Sequence, residues 1–261
     1  MAKFCSLYSS SSGNSTYIGT SRGGILVDIG VSAKRTSEAL LGIGVDPCDI
    51  AAIFITHEHA DHVNGVRVFA KKYGVPVYAS AGTLSGMQEQ GALDPKTKTL
   101  VIPSSGIEAA GIFVRPFATP HDSRESCGYS VVTPDGKRIS VATDIGKMTD
   151  TVMDAIHGSD LVLLESNHDV GMLRNGPYPF FLKQRILSDH GHLSNENCAK
   201  TAVRLVESGT TRLVLGHLSK ENNMPALAYE TTHSAMTIAG AKLGVDYLLT
   251  VAGDLNAPIT F

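Results

Sequence analysis

The feature that most restricts how this chain can fold is a cluster of histidine and aspartate directly after an apolar strand. Residues Ala52–Ile55 form an apolar segment, and the chain continues Thr56-His57-Glu58-His59-Ala60-Asp61-His62. The pattern His-x-His-x-Asp-His should arise by chance in roughly one in a thousand chains of this length. It therefore indicates a functional motif placed at the end of a strand.

The spacing of this motif is typical of a site for metal ions. Alternate residues of an extended segment point to the same side, so His57 and His59 can bind one cation. Asp61 and His62, in the turn that follows, can bind a second cation, because imidazole and carboxylate suit zinc, manganese and iron. Four ligands are too few for two metals, which predicts further ligands elsewhere in the chain.

Three later positions share the same local context, a His or Asp just past an apolar strand. They are His121 after Ile112–Phe117, Asp144 after Arg138–Val141, and His217 after Arg212–Leu215. Recurrence of one type of position predicts that these residues complete the site. Asp144 is the natural bridge between two metals, because each of its carboxylate oxygens can bind one.

The pattern of apolar segments predicts an α/β protein. Helices are expected at about Ser32–Ile43, behind a serine cap, over Val63–Tyr73, around Pro179–Leu187 and from Ser194 to Val206. Two β-rich halves with interleaved helices predict sheets packed face to face with helices outside. No repeat, linker or shift in composition marks a boundary, so one domain over residues 1–261 is expected.

Composition excludes several classes of protein. A hydrophobic content of 43% and a net charge of -3 exclude a disordered chain. The longest apolar run, Ile50–Ile55, is far shorter than the roughly 20 residues of a membrane-spanning helix. With no secretory signal either, we expect a cytoplasmic protein without a membrane partner. The four cysteines include no Cys-x-x-Cys pair, so reduced structural thiols are expected.

The order of these motifs resembles that of the metallo-β-lactamase-fold hydrolases over essentially the whole chain. The motif order begins with Asp28, at the end of the apolar segment Ile25–Val27, and continues through the candidate ligands above. The resemblance implies a four-layer αββα sandwich, with Asp28 orienting a metal ligand or its loop. It also implies two divalent metals, with ligands as follows: His57, His59 and His121 for one, Asp61, His62 and His217 for the other, and Asp144 between them.

Four further segments resemble the WalJ/YycJ-like group of this superfamily. They are Ser9–Ser15, Glu165–Asp169, Gly176–Ile186 and Gly191–Asn195. That group is described as exonucleases that degrade DNA from 5′ to 3′. The resemblance therefore implies phosphodiester hydrolysis, with nucleic acid, expected to be DNA, as the partner.

The resemblance also implies a catalytic histidine. His192 lies 25 positions before His217, where related phosphodiesterases place a His that contacts phosphate or protonates the leaving oxygen. The expected reaction has a hydroxide between the two metals attacking phosphorus while His192 protonates the departing 3′ oxygen. Asp61 and Asp144 are the other expected catalytic residues, through the metals they bind.

Several polar residues near these motifs are candidates for binding substrate. They are Ser12, Asn14, His168, Arg174, Lys183, Arg185 and Ser194. The basic residues among them are the type that holds phosphates. Taken individually, each basic residue is more typical of a solvated surface charge. The serine-rich loop that contains Ser12 is equally typical of a plain hairpin turn.

Three other functions would use the same ligands. An acyl hydrolase acting on a thioester or lactone needs no phosphate-binding charges, so His192 and the nearby basic residues favour a nuclease. An RNA-directed nuclease with an inserted domain lacks room, with 22 residues between His121 and Asp144 and 47 between Asp144 and His192. A metal-binding protein without catalysis is disfavoured, because an open two-metal site implies an activated water. Scattered apolar surface residues would permit a homodimer.

Overall fold

A computed structural model describes residues 1–261, and in it the apolar segments of the sequence form strands. Internal contacts divide the chain into two compact units. The first comprises Met1–Pro116, Ser123–Lys137 and Gly253–Phe261, and the second comprises Phe117–Asp122 and Arg138–Ala252. The expectation of one domain over residues 1–261 stays a prediction.

The first unit is built on a seven-stranded sheet. Its strands are β1 (Lys3–Ser10), β2 (Gly13–Thr20), β3 (Gly23–Val27), β4 (Ile50–Phe54), β5 (Val77–Ala79), β6 (Thr99–Val101) and β14 (Ile259–Thr260), in the order β14-β1-β2-β3-β4-β5-β6. Strands β1 to β3 pair antiparallel and β3 to β6 pair in parallel. Val27 lies opposite Phe54, so the residues that follow β3 and β4 meet at one edge of the sheet.

Helices, two more strands and residues 112–116 of a third strand complete the first unit. They are α1 (Ala33–Gly42), a 3₁₀ turn (Pro47–Asp49), α2 (Ala60–Val63), α3 (Val66–Tyr73), α4 (Ala81–Glu89), β7 (Ile107–Ala109), β8 (Ile112–Ala118) and β9 (Cys127–Val132). The Ser32 side chain accepts a hydrogen bond from Arg35 N, as expected for the predicted cap. The helix predicted over Val63–Tyr73 is instead two helices, because Gly65 N donates to Ile29 O rather than to a helical carbonyl.

The second unit contains four consecutive parallel strands with helices between them. The strands are β10 (Arg138–Ala142), β11 (Leu161–Glu165), β12 (Arg212–Gly216) and β13 (Leu248–Val251), and the helices are α5 (Asp150–Ile156), α6 (Val170–Asn175), α7 (Phe180–Ile186), α8 (Asn195–Glu207) and α9 (Pro225–Ile238). Ala142 pairs with Leu164, and Glu165 pairs with Gly216. The carboxyl ends of these strands therefore meet at one edge, where ligands bind in α/β sheets.

Each unit has its own apolar core. Helix α8 shows how the second core forms, since Cys198, Ala202 and Leu205 share one buried face at helical spacing. All four cysteines are free thiols, and burial raises the pKa of Cys127 and Cys198 to about 12. None of the helices combines the length and the apolar character that a membrane-spanning helix requires.

Candidate metal centre

Three candidate site residues have a backbone conformation that side chains other than glycine rarely adopt. Asp28, Asp144 and His217 have φ angles of 61°, 58° and 57°, and each lies just beyond a strand. Such left-handed conformations cost roughly 1–3 kcal/mol each and cluster at functional sites. The strand ends therefore turn abruptly at the residues that the sequence selects as functional.

In the first unit, Asp28 orients the histidine motif. Its two carboxylate oxygens accept hydrogen bonds from Thr56 N and Thr56 Oγ1, each at 2.9 Å, and Oδ2 lies 2.8 Å from His62 Nδ1. Because a carboxylate accepts this bond, Nδ1 of His62 carries the hydrogen and Nε2 is left as the ligand atom. Burial raises the pKa of Asp28, and His62 and Thr56 offset that effect only in part.

The imidazole rings of the motif lie against one another within the first unit. The ring centroid of His57 is 4.5 Å from that of His59 and 4.1 Å from that of His62. His57 and His62 are fully buried, whereas the Asp61 side chain is 26% exposed, with Oδ2 3.4 Å from His62 Nε2. Asp61 and His59 are thus the partly exposed members among the histidines and aspartate of this motif.

The remaining acid of the motif, Glu58, has a structural role. It is buried, and its Oε1 accepts a hydrogen bond from Arg124 N at 2.9 Å. Gly86 leaves the space that Glu58 occupies, because a Cβ there would lie 2.7 Å from Glu58 Cγ. Glu58 therefore fastens the loop around Arg124 to the motif.

Asn14 and Gly30 shape the loop that contains Asp61. Asn14 Nδ2 lies 3.1 Å from His62 Nε2 and donates to Asp61 O at 3.3 Å. A Cβ at Gly30 would lie 1.6 Å from Asp61 O, so only glycine allows the two backbones to approach. Asn14, predicted to bind substrate, contacts two predicted metal ligands in the structure.

In the second unit, Glu165 holds two histidines at once. Its Oε1 lies 2.8 Å from His192 Nδ1 and 2.9 Å from His217 Nδ1, and its Oε2 accepts from Ile145 N and Leu193 N at 2.7 and 3.1 Å. Both imidazoles therefore carry hydrogen on Nδ1 and present Nε2. Burial alone would raise the pKa of Glu165, but the two imidazoles lower it to about 2.

Asp144 and His121 belong to the same cluster of the second unit. Asp144 Oδ1 lies 3.6 Å from His121 Nε2, 3.6 Å from His217 Nδ1 and 3.7 Å from His192 Nδ1. Nδ1 of His121 donates to Gly191 O at 3.0 Å, which again leaves Nε2 as the ligand atom. Burial lowers the pKa of His121, so the neutral form that binds a metal is favoured.

The donor chemistry of these clusters fits a divalent cation. One potential ligand atom from each of Asp144, Glu165, His192 and His217 lies within 4.8 Å of the others. In the usual sites for zinc and similar ions, one imidazole nitrogen binds the metal while the other donates a hydrogen bond to an oxygen, and a carboxylate lies nearby. The oxygens of Glu165 are already shared by four donors, so Glu165 orients ligands rather than acting as one.

The structure gives most of the predicted substrate-binding residues other contacts. Lys183 Nζ donates to two backbone carbonyls, Arg185 forms an ion pair with Asp122, and Ser194 caps helix α8. Ser12 lies exposed in the β1–β2 turn. The prediction that these residues bind substrate remains untested.

Arg174 and His168 differ from that set in their surroundings. Arg174 is exposed at the end of α6. His168 is buried, and neither of its ring nitrogens has a hydrogen-bond partner. Desolvation lowers the pKa of His168 to about 4, so the buried ring is neutral.

Glu165 and Thr56 have contacts in the site that the sequence motifs do not predict. Glu165 is the last residue of an apolar strand, the same position type that identified Asp144 and His217, so the signal was present. Thr56 bonds Asp28 through both backbone and side chain, and a lone threonine carries no sequence signal of that role.

Comparison with known proteins places the chain in a family. Residues 25–218 match the β-lactamase superfamily domain, which is more than half of the chain. The chain belongs to the metallo-β-lactamase superfamily. It is 39% identical to the exodeoxyribonuclease WalJ of Streptococcus pneumoniae, over 99% of this chain and 97% of that protein. It is also 35% identical to the exodeoxyribonuclease YycJ of Bacillus anthracis, over 92% and 91% of the two chains.

Solved structures of the superfamily agree with this assignment at the level of fold. The zinc-bound PqqB of Methylobacterium extorquens has a TM-score of 0.73 at 16% identity, with 99% of this chain and 100% of that chain covered. The chain therefore has the four-layer αββα metallo-β-lactamase fold, and the predicted fold class and family are confirmed.

Proposed function

We propose that this chain is a metal-dependent phosphodiesterase that degrades DNA from the 5′ end. Relatives that match nearly its whole length are named exodeoxyribonucleases. Within the chain, the proposal is supported by the contact of Glu165 with both His192 and His217. This contact places His217, which is suited to bind a metal, beside His192, which is open to substrate. A DNA substrate fits the cytoplasmic location expected for the protein.

The proposed function requires two divalent cations of zinc, manganese or iron. The proposed ligands are His57, His59, Asp61, His62, His121, Asp144 and His217. Bound cations would activate a water molecule and neutralise phosphate oxygens. Asp28 and Glu165 hold the rings of His62 and His217 in the orientation that this binding requires.

His192 is the proposed acid for the leaving oxygen. Its side chain is 18% exposed, whereas that of His217 is 2% exposed, although the same carboxylate oxygen holds both rings. The hydrogen on Nδ1 of His192 is engaged by Glu165, so the proton delivered to the departing 3′ oxygen comes from Nε2. General acid catalysis of this kind contributes typically 10² to 10⁴ in rate.

The test is degradation of a 5′-labelled DNA duplex with added Mn²⁺. The wild-type protein should release short labelled products, and Asp61→Ala should not. Asp154→Ala removes an exposed carboxylate from helix α5 and is the matched control, so this variant should retain wild-type activity.

Two results would overturn the proposal. Cleavage that persists in Asp61→Ala would point to a contaminating nuclease. Absence of cleavage by a wild-type protein that contains two metals per chain would exclude a DNA exonuclease. RNA, then thioester and lactone substrates, would separate the remaining hydrolase activities.

A further inference from the structure

Helix α7 exposes two aromatic side chains on the surface of the second unit. Phe180 is 76% and Phe181 is 73% exposed, and no residue of α7 is buried. A helix this short is not stable through its own hydrogen bonds and normally depends on burying an apolar face. The two phenylalanines do not supply that burial, so the stability of the fold does not explain why large aromatic side chains occupy these positions.

Polar contacts hold the start of α7 instead. Lys183 Nζ donates to Arg174 O at 2.9 Å and to Gly176 O at 2.8 Å, which fastens α7 to the end of α6. Pro177 and Pro179 restrict the backbone that leads into the helix. The aromatic rings therefore lie on a segment that hydrogen bonds and prolines fix in place.

The other end of α7 is attached to the candidate catalytic histidine. His192 N donates to Ile186 O at 3.0 Å. A Cβ at Gly191 would lie 2.2 Å from Ile186 O, so the segment that carries His192 packs directly on the helix end. Phe181 precedes Ile186 by five residues, about 7.5 Å along a helix axis. That distance corresponds to about two stacked nucleotides at 3.4 Å each.

Positive charge accompanies the two rings. Residues 170–187 contain three cations, Arg174, Lys183 and Arg185, and no acidic residue, in a chain with a net charge of -3. Lys183 follows Phe180 by three positions and Arg185 follows Phe181 by four, so each ring shares a helix face with a cation. Asp122 offsets the charge of Arg185, whereas Arg174 is exposed.

We propose that Phe180 and Phe181 form a base-stacking surface that holds the unpaired bases of a DNA end next to His192. Aromatic rings that stack on bases, beside cations that follow the phosphates, are the usual means of binding single strands. A two-fold contact between copies of this chain would instead bring two positively charged segments together. The inference rests on the proposed function, because it assumes a nucleic acid substrate.

The test compares three double variants in which both phenylalanines become Ala, Leu or Trp. Leucine keeps the apolar surface without an aromatic face, and tryptophan keeps the aromatic face. Ile238→Ala, at a residue that is 88% exposed on the same unit, is the control for loss of an exposed apolar side chain. Each protein is assayed on a duplex with a frayed 5′ end, on the same duplex with abasic sites at that end, and on bis(p-nitrophenyl) phosphate.

Stacking on one base is worth about a factor of ten or more in binding. The Ala and Leu variants should therefore raise KM for the frayed duplex about tenfold, and kcat/KM for DNA relative to bis(p-nitrophenyl) phosphate should fall equally. The Trp variant should restore the wild-type value. On the abasic duplex, the wild-type and Ala proteins should differ less than twofold.

Anisotropy measurements with a labelled oligonucleotide in EDTA keep this inference separate from the proposed function. Tenfold weaker binding by the Ala and Leu variants supports the stacking surface even if no DNA is cleaved. Unchanged DNA kinetics and binding in both variants would overturn it, while DNA cleavage by the wild type would still stand. A Leu variant that matches wild type, with a dimer lost only in the Ala variant, would also overturn it and assign the face to a second copy.

Discussion

In both units a buried carboxylate at a strand end orients histidine side chains, but the number of imidazoles that the carboxylate holds differs. In the first unit, Asp28 holds one imidazole, that of His62, together with Thr56. In the second unit, Glu165 holds the imidazoles of His192 and His217 and two backbone N–H groups. Burial raises the pKa of Asp28, whereas the two imidazoles lower the pKa of Glu165 to about 2.

This difference shows what a second imidazole adds. One imidazole leaves burial dominant at Asp28, while two imidazoles outweigh the burial of Glu165 and keep it anionic. Asp28 holds the imidazole of one proposed metal ligand, His62. Glu165 connects a proposed ligand to the proposed acid, so metal binding and proton delivery in the second unit depend on one side chain.

The largest effect is expected for Glu165→Gln. The amide cannot accept from all four donors, so the rings of both His192 and His217 lose their orientation. Loss of an orienting partner typically costs 10–100-fold in metal affinity, and loss of the acid costs 10²–10⁴ in rate. Activity on DNA should therefore fall by about 10³ or more, and metal content, measured by mass spectrometry after dialysis, should fall with it.

Glu230→Gln is the matched control for this change, because Glu230 is exposed on helix α9 of the same unit. Near-ultraviolet circular dichroism verifies that Glu165→Gln retains its tertiary structure. A folded Glu165→Gln protein with normal metal content and normal turnover would show that Glu165 does not couple metal binding to proton delivery, and the proposed difference between the two carboxylates would be wrong.

The next largest effect is expected for His192→Ala. The ring of His192 is partly exposed, and Glu165 retains its contact with His217. Turnover of DNA should fall by 10²–10⁴ while both metals stay bound, as measured by kcat and by metal content on the same sample. Equal loss of metal in His192→Ala and Glu165→Gln would show that His192 is a ligand.

The sequence predicted the first unit's cluster better than the second's, for a physical reason. A contiguous motif such as His57 to His62 fits in one turn, so its spacing alone predicts a shared cation. The second cluster is assembled by parallel strands, and its members are visible only as strand ends. Glu165 was missed although it ends β11, because an acid at the end of a strand is common and its partner His192 lies 27 residues later.

Other features could be identified only from the folded structure. The break between α2 and α3 depends on Gly65 donating to Ile29, a contact across the chain that no helical pattern reports. The caps at Ser32 and Ser194 were predicted correctly, because a cap is local. Lys183 and Arg185 were predicted to hold phosphates, but their contacts to carbonyls and to Asp122 depend on where α6 and α7 end.

A smaller effect is expected for Asp28→Asn. Asparagine tolerates the left-handed backbone found at this position, so the fold should be retained, but its amide does not accept from His62 as a carboxylate does. Metal affinity should weaken 10–100-fold, measured by competition with a chromophoric chelator, and saturating metal should restore turnover. Turnover that stays low at saturating metal would assign Asp28 a role beyond orienting His62.

The smallest effect concerns His168, the buried histidine that no carboxylate holds. Desolvation lowers its pKa to about 4, against about 6.5 in an unfolded chain. The unfolded state therefore binds the proton first, and stability is lost as pH falls from about 6.5 to about 4, by about 3 kcal/mol at most. His168→Gln should remove that part of the pH dependence in urea unfolding, whereas His157→Gln, at an exposed position, should keep it. Parallel pH profiles for His168→Gln and wild type would mean that the buried ring already has a proton partner, and the contrast with His62, His192 and His217 would be lost.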